Sequence, residues 1–222
     1  MDIGKALNDS FEYAKDAVWE KWVRWLLLIV SSIIFPLMMG YQVEIYRGKK
    51  PAPELENWGK LFVDGLTLLV IALIYAIPIL ILLVLFVGVG ALMTLAGALA
   101  SSPGTVMAGV GSIIGGILIT FIVALIIALV AIIGVIRFAR TGSMGEAFNF
   151  NAILAHIGKI GWLSYIFSLI VVCIVVGIIG FIIGFITGIF PPVGWLISII
   201  IAPVIAIFEA RYITLVYDSV PA

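Results

Sequence analysis

The chain has 222 residues, 64% hydrophobic and only 11% charged, with twelve basic and twelve acidic side chains that cancel. A soluble domain carries about 25% charge and 45–50% apolar residues, so a water-soluble globule is excluded, and the balanced charge lacks the basic face that nucleic acid requires. Two tracts, 72 residues between Asp64 and Arg137 and 49 between Lys159 and Glu209, hold no Lys, Arg, Asp or Glu, and only lipid can surround them.

Residues 2–22 read as an amphipathic helix. Ile3, Leu7, Phe11, Ala14, Val18 and Trp22 recur at steps of three or four and form one stripe, with charges on the remaining faces. Residues 1–24 are therefore expected as an amphipathic interfacial helix; the alternative is a helix packed on the protein's own polar loops. The N-terminus has acids scattered through it and lacks the basic start and apolar core of a secretory leader.

The segment 25–43 is 19 residues long and contains Ser31, Ser32 and Pro36. Its length only just spans a core of about 30 Å, and the proline kinks it, so it either forms a fifth span or re-enters. The first uncharged tract predicts a helix at 61–87, an apolar connection at 88–104 containing Gly88, Gly90 and Gly97, and a helix at 105–138. The second divides at Pro191-Pro192 into helices at 160–189 and 193–217. The expected fold is an all-α polytopic transmembrane bundle with four spans, in which residues 25–222 form a single helical domain.

Basic residues fix an orientation. Arg47, Lys49, Lys50 and Lys60 lie in the 44–64 connection and Arg137, Arg140 and Lys159 in the 137–159 connection, while the intervening connections are uncharged. Under the positive-inside rule both basic connections and the C-terminus face the cytoplasm, and the chain is a multi-pass protein of the cell membrane. A weak duplication at an offset of 94 residues relates about 40–133 to 134–222, with Gly40–Gly48 lying over Gly134–Gly142. Asn57 can cap the helix after it, and Ser143-Met-Gly-Glu146 has the spacing of a capping box.

The opening Met1-Asp-Ile-Gly-Lys-Ala-Leu, the exit Gly40-Tyr-Gln-Val-Glu-Ile-Tyr-Arg-Gly48, the stretch Asn57-Trp-Gly-Lys-Leu-Phe-Val-Asp-Gly65 and Arg140-Thr-Gly-Ser-Met-Gly-Glu-Ala-Phe148 resemble an uncharacterised, mainly archaeal membrane-protein family catalogued as DUF4013. The resemblance runs over nearly the whole chain, with Asn57–Gly65 its most specific part. It implies a membrane location and a shared fold, and it carries no catalytic residues.

Candidate site residues are few. Gly177, Gly180, Gly184 and Gly188 follow a helical spacing that admits close approach of another helix, either within one subunit or across a dimer seam. On this reading Gly184→Leu costs more than Gly97→Leu. Arg47, Lys49 and Lys50 form a basic cluster that either contacts anionic lipid or only sets orientation. Glu209 can pair with Arg137 inside the membrane. The lone His156 and the lone Cys173 offer neither a metal set nor a disulfide, so no catalytic residue, metal or cofactor is expected and the protein is read as a non-enzyme. The expected role is a scaffold or a component contacting the lipid bilayer or a partner, with a homo-oligomer or another membrane protein as candidate partner. The alternative is a channel or uncoupled carrier for a small, weakly polar solute.

Overall fold

The computed structural model describes residues 2–221; Met1, which opens the first motif, and Ala222 lie outside the described residues. The described residues are helical nearly throughout. In order come α1 (Ile3–Val18), α2 (Trp22–Ile33), α3 (Phe35–Tyr46), α4 (Trp58–Leu83), a π-helical turn Val84–Gly88, α5 (Val89–Leu99), α6 (Pro103–Thr141), a 3₁₀ turn Met144–Phe148, α7 (Phe150–Ile160), α8 (Trp162–Ile189) and α9 (Pro191–Tyr217). Four helical stretches are long and apolar enough to cross a membrane: Trp58–Leu99, Pro103–Thr141, Trp162–Ile189 and Pro191–Tyr217. The protein is a multi-pass helical membrane protein.

Contacts divide it into two compact units, one made of residues up to 70 together with those from 132 onward, the other of 71–131. In the first unit, α1 packs against α9 and buries Ala6, Ser10, Tyr13, Ala14, Ala17 and Val18. The predicted stripe is thus only partly the buried one: Phe11, Trp19 and Trp22 point outward, each more than 60% exposed. The rotation follows from Asp9 and Tyr13 being drawn to Arg211 on α9, and the small residues beside them allow close approach. α1 thus packs mainly on the apolar helix α9, and its outer face mixes Phe11 and Trp19 with the exposed Lys5, Asn8, Glu12, Lys15 and Asp16.

α2 and α3 meet at Ile34 with a bend of 119°. Each has 12 residues, about 18 Å of helix, and at that angle their far ends lie roughly 18 Å apart, well short of a hydrocarbon core of about 30 Å. The pair is thus sharply bent, and a broken span and a re-entrant turn, the two sequence readings, both remain compatible with it. Ser31 and Ser32 donate to the carbonyls of Leu27 and Leu28 at 2.8 and 3.0 Å, which loosens the last turn, and Pro36 has no N–H with which to continue it.

The core of the first unit gathers where the charged connections meet. α9 buries Pro203, Ile207, Phe208, Ala210, Arg211, Tyr212, Thr214, Val216 and Tyr217, and α8 buries only Tyr165, Ser168, Leu169 and Val172. Tyr212 Oη donates to the Ser168 carbonyl at 3.1 Å and ties the two helices together. Their opposite halves expose Phe181, Phe185, Trp195 and Leu196, side chains that suit lipid.

The second unit is a helical hairpin turning at Ala100–Ser102. The connection expected at 88–104 is instead helical to Leu99. Its glycines do not break the helix but permit contact: a Cβ on Gly90 would lie 2.8 Å from the Gly109 carbonyl oxygen, and one on Gly97 only 2.7 Å from the Val106 nitrogen. The Phe86 carbonyl in the π turn accepts from the Val89 N–H and also from Ser112 Oγ, the latter at 3.0 Å.

Candidate functional site

The motifs of the sequence converge on a charged belt in the first unit. Gly40 and Gly65 bring α3 and α4 into backbone contact, since a Cβ at Gly40 would lie 1.8 Å from the Leu61 carbonyl oxygen and one at Gly65 only 1.7 Å from that of Pro36. Asn57 Oδ1 accepts from the Lys60 N–H at 3.1 Å and caps α4 as expected. The buried carboxylate of Glu44 takes Lys49 and Lys60, each at 2.5 Å, and also Arg47, which reaches on to Asp64 at 2.7 Å. The two related exits then secure one another. Arg47 Nε donates to the Ala139 carbonyl at 3.3 Å, and Arg140 Nε to that of Tyr46, 94 residues away, at 2.7 Å. Gly48 and Gly142 end these exits with φ of 83° and 72°, a conformation glycine adopts without strain.

This arrangement corrects several sequence readings. Arg47, Lys49 and Lys50, the expected anionic-lipid cluster, are engaged within the chain, Lys50 through Asp9 at 2.6 Å. Arg137 pairs with Glu146 rather than Glu209, because the chain turns straight back after α6 and presents Glu146 beside it. That guanidinium, helped by Asn149, holds the Glu146 carboxyl below the usual carboxylate range. Glu209 makes no ion pair among the described residues. With Glu146 so engaged the capping box does not form; Asn149 instead caps α7 through the Ala152 N–H at 3.3 Å. A Cβ on Gly177, Gly180, Gly184 or Gly188 would meet nothing within 4 Å, so these glycines pack no helix of their own chain. The buried His156 ring stacks on Tyr217 with centroids 4.0 Å apart, and its Nε2 lies 3.0 Å from the Tyr217 carbonyl. Burial pulls its pKa below the usual value, against the opposing pull of that carbonyl.

Asp9 fastens α1 to this belt. It takes Arg211 at 2.8 Å and Lys50 at 2.6 Å, while the Arg211 guanidinium stands 4.9 Å over the Tyr13 ring and Tyr13 Oη donates to the Lys49 carbonyl at 2.9 Å. Sequence periodicity did not reveal these partners; the one pointer was that Asp9 and Tyr13 lie four apart on the face that also holds Ala6 and Ala17.

Beside this attachment lies an open groove of about 510 Å³. α1 lines it with Phe11, Ala14, Lys15, Val18 and Trp19, α2 with Trp25, α8 with Val175 and Ile179, and α9 with Ile201, Val204, Ile205 and Phe208. Trp25 is held in place by its Nε1, which donates to the Ile200 carbonyl at 3.1 Å. Lys15 is the one charged residue in the lining, its ammonium 5.6 Å from the centre of the Trp19 ring. Water finds too few polar partners on such walls, and an empty groove forfeits dispersion contacts. A flexible apolar chain satisfies the lining.

The family model described as protein of unknown function (DUF4013) matches residues 25–188. The chain belongs to this family. No curated protein and no solved structure matches it. In this DUF4013 protein the match runs from α2 almost to the end of α8, so the belt residues of α3 and α4 fall inside it, while the α1 and α9 walls of the groove fall outside.

Proposed function

We propose that this DUF4013 protein is a lipid-contacting component of the cell membrane that acts without catalytic chemistry, holding a lipid acyl chain in the groove beside α1. The observation that carries the reading is the groove itself, apolar but for Lys15 and closed on one side by a helix anchored through Asp9. Lys15 and Trp19 suit its rim, where an ammonium and an indole reach toward the headgroup layer. The distribution of basic residues supports a cytoplasmic position for the charged connections and the C-terminus. Phospholipid retained by protein purified in mild detergent tests the reading. Val204→Trp fills the groove and is expected to lower retained lipid several-fold at unchanged elution volume, while Ile178→Trp, on an exposed position outside the groove, leaves it unchanged. Equal retention in both variants would refute it.

A scaffold role through a second copy has one supporting observation, the open face of Gly177, Gly180, Gly184 and Gly188. Introducing leucine at Gly184 is then expected to yield a smaller particle in detergent without loss of fold.

A further inference from the structure

The second unit is too long for an ordinary bilayer. Its arms, 71–99 and 103–131, each hold 29 residues without a charged side chain, and at 1.5 Å per residue each runs about 44 Å. Tilts of transmembrane helices average about 20° and reach about 40°, which projects such an arm onto roughly 41 to 33 Å of the membrane normal. A typical hydrocarbon core is about 30 Å thick. The same chain holds a helix that fits: the uncharged part of α9, 191–208, has 18 residues, about 27 Å. The uncharged α8, 28 residues or about 42 Å, shares this excess, so the hairpin supplies two of three overlong arms.

The hairpin is closed on itself and mostly bulky outside, with Gly104, Gly111 and Gly115 the open exceptions. Gly90 and Gly97 meet α6, and Gly116 meets Phe86. Thr94 Oγ1 donates to the Gly90 carbonyl at 2.8 Å. Outward stand Leu92, Leu95, Leu99, Met107, Ile114 and Leu118, all exposed. Helices that associate in lipid use small residues at the contact, whereas branched and flexible aliphatic side chains suit acyl chains. We infer that the 71–131 hairpin is an interaction surface for long-chain lipid, favouring a hydrocarbon layer thicker than about 30 Å. The π turn at Val84–Gly88 and Pro78 mark where its first arm can bend when the layer is thinner.

The test uses the full chain in phosphatidylcholine vesicles of increasing monounsaturated chain length, from dimyristoleoyl through dioleoyl to dinervonoyl. Relative lipid affinity is read from quenching of tryptophan fluorescence by brominated lipids, and helix tilt by polarised infrared spectroscopy. The expected result is an affinity maximum at chains longer than oleoyl, several-fold above dimyristoleoyl, with tilt falling as the chains lengthen. Deleting 95–99 and 103–107 shortens each arm by about 7.5 Å and moves the maximum to shorter chains, whereas an unmoved maximum assigns the preference to α8 and overturns the inference. Should that variant fail to fold, Leu92→Trp with the six native tryptophans replaced by phenylalanine puts the reporter on the hairpin, and its quenching must show the same maximum. A flat dependence, or a maximum at chains shorter than oleoyl, would overturn the inference. So would a flat dependence accompanied by disulfide-linked dimers through a cysteine at Gly111, whose face is open; that result assigns the surface to a second copy.

Discussion

Replacing Gly40 by alanine tests whether the Gly40–Gly48 exit and the Asn57–Gly65 stretch it abuts are architectural. An added Cβ would stand 1.8 Å from the Leu61 carbonyl oxygen, against an ordinary contact of 3.4–4 Å, so α3 and α4 must separate by more than an ångström. Leu61 is buried and its carbonyl belongs to helix backbone, so no flexible side chain can yield instead. Overpacking of this kind costs about 1–3 kcal/mol, occasionally more, and backbone against backbone lies at the upper end. Alanine also gains about 1 kcal/mol over glycine as a helix former, which the clash must exceed. A net loss of about 2 kcal/mol corresponds to a fall in melting temperature of roughly 4–8 °C for a chain of this size. Gly184→Ala is the control: its Cβ enters open space, so only the propensity gain operates and the midpoint should hold or rise slightly. Both are read by thermal denaturation in the same detergent. If Gly40→Ala melts with Gly184→Ala, the two helices are not in backbone contact and the architectural reading of the motif falls.

Three further outcomes follow from the same geometry. Gly97→Leu should destabilise by roughly 1–3 kcal/mol and Gly184→Leu in the monomer by less than about 0.5 kcal/mol, the reverse of the order expected from sequence; chemical denaturation of each variant checks it. The His156 pKa is lowered by burial, so the unfolded chain takes up the proton first; stability is complete above about pH 6.5 and declines as pH falls toward the folded value, and His156→Gln should flatten the melting curve's dependence on pH across that window. Asp9→Ala leaves Arg211, only 7% exposed in its side chain, without its carboxylate, so α1 should detach and trypsin should cleave after Lys21 several-fold faster than in the parent.

Much of the fold is legible in composition and periodicity. Long uncharged tracts can only be membrane helices, and the break at Pro191-Pro192 falls where the structure ends α8 at Ile189 and begins α9 at Pro191. Glycine misled in both directions, because sequence gives its presence but not what faces it. Gly88, Gly90 and Gly97 suggested a loose connection, yet Gly90 and Gly97 are where the hairpin closes. The regular spacing of Gly177, Gly180, Gly184 and Gly188 suggested close packing, yet the space around them is open. Charge pairing was similarly out of reach. Arg137 finds Glu146 nine residues on, while Asp9 finds Arg211 across 202 residues, and no local pattern distinguishes either from the pair once assigned to Glu209.

The belt explains why the recognisable motifs say so little about activity. Gly40, Glu44, Arg47, Gly48, Asn57, Lys60, Asp64 and Gly65 are each accounted for by a backbone contact, a cap or an ion pair inside the chain, so these stretches hold α3 and α4 together. The surfaces with unused capacity lie elsewhere: the groove walls of α1 and α9, outside the family match, and the outward faces of the hairpin. Both are predominantly apolar, and the proposed lipid contacts rest on them rather than on the charged belt.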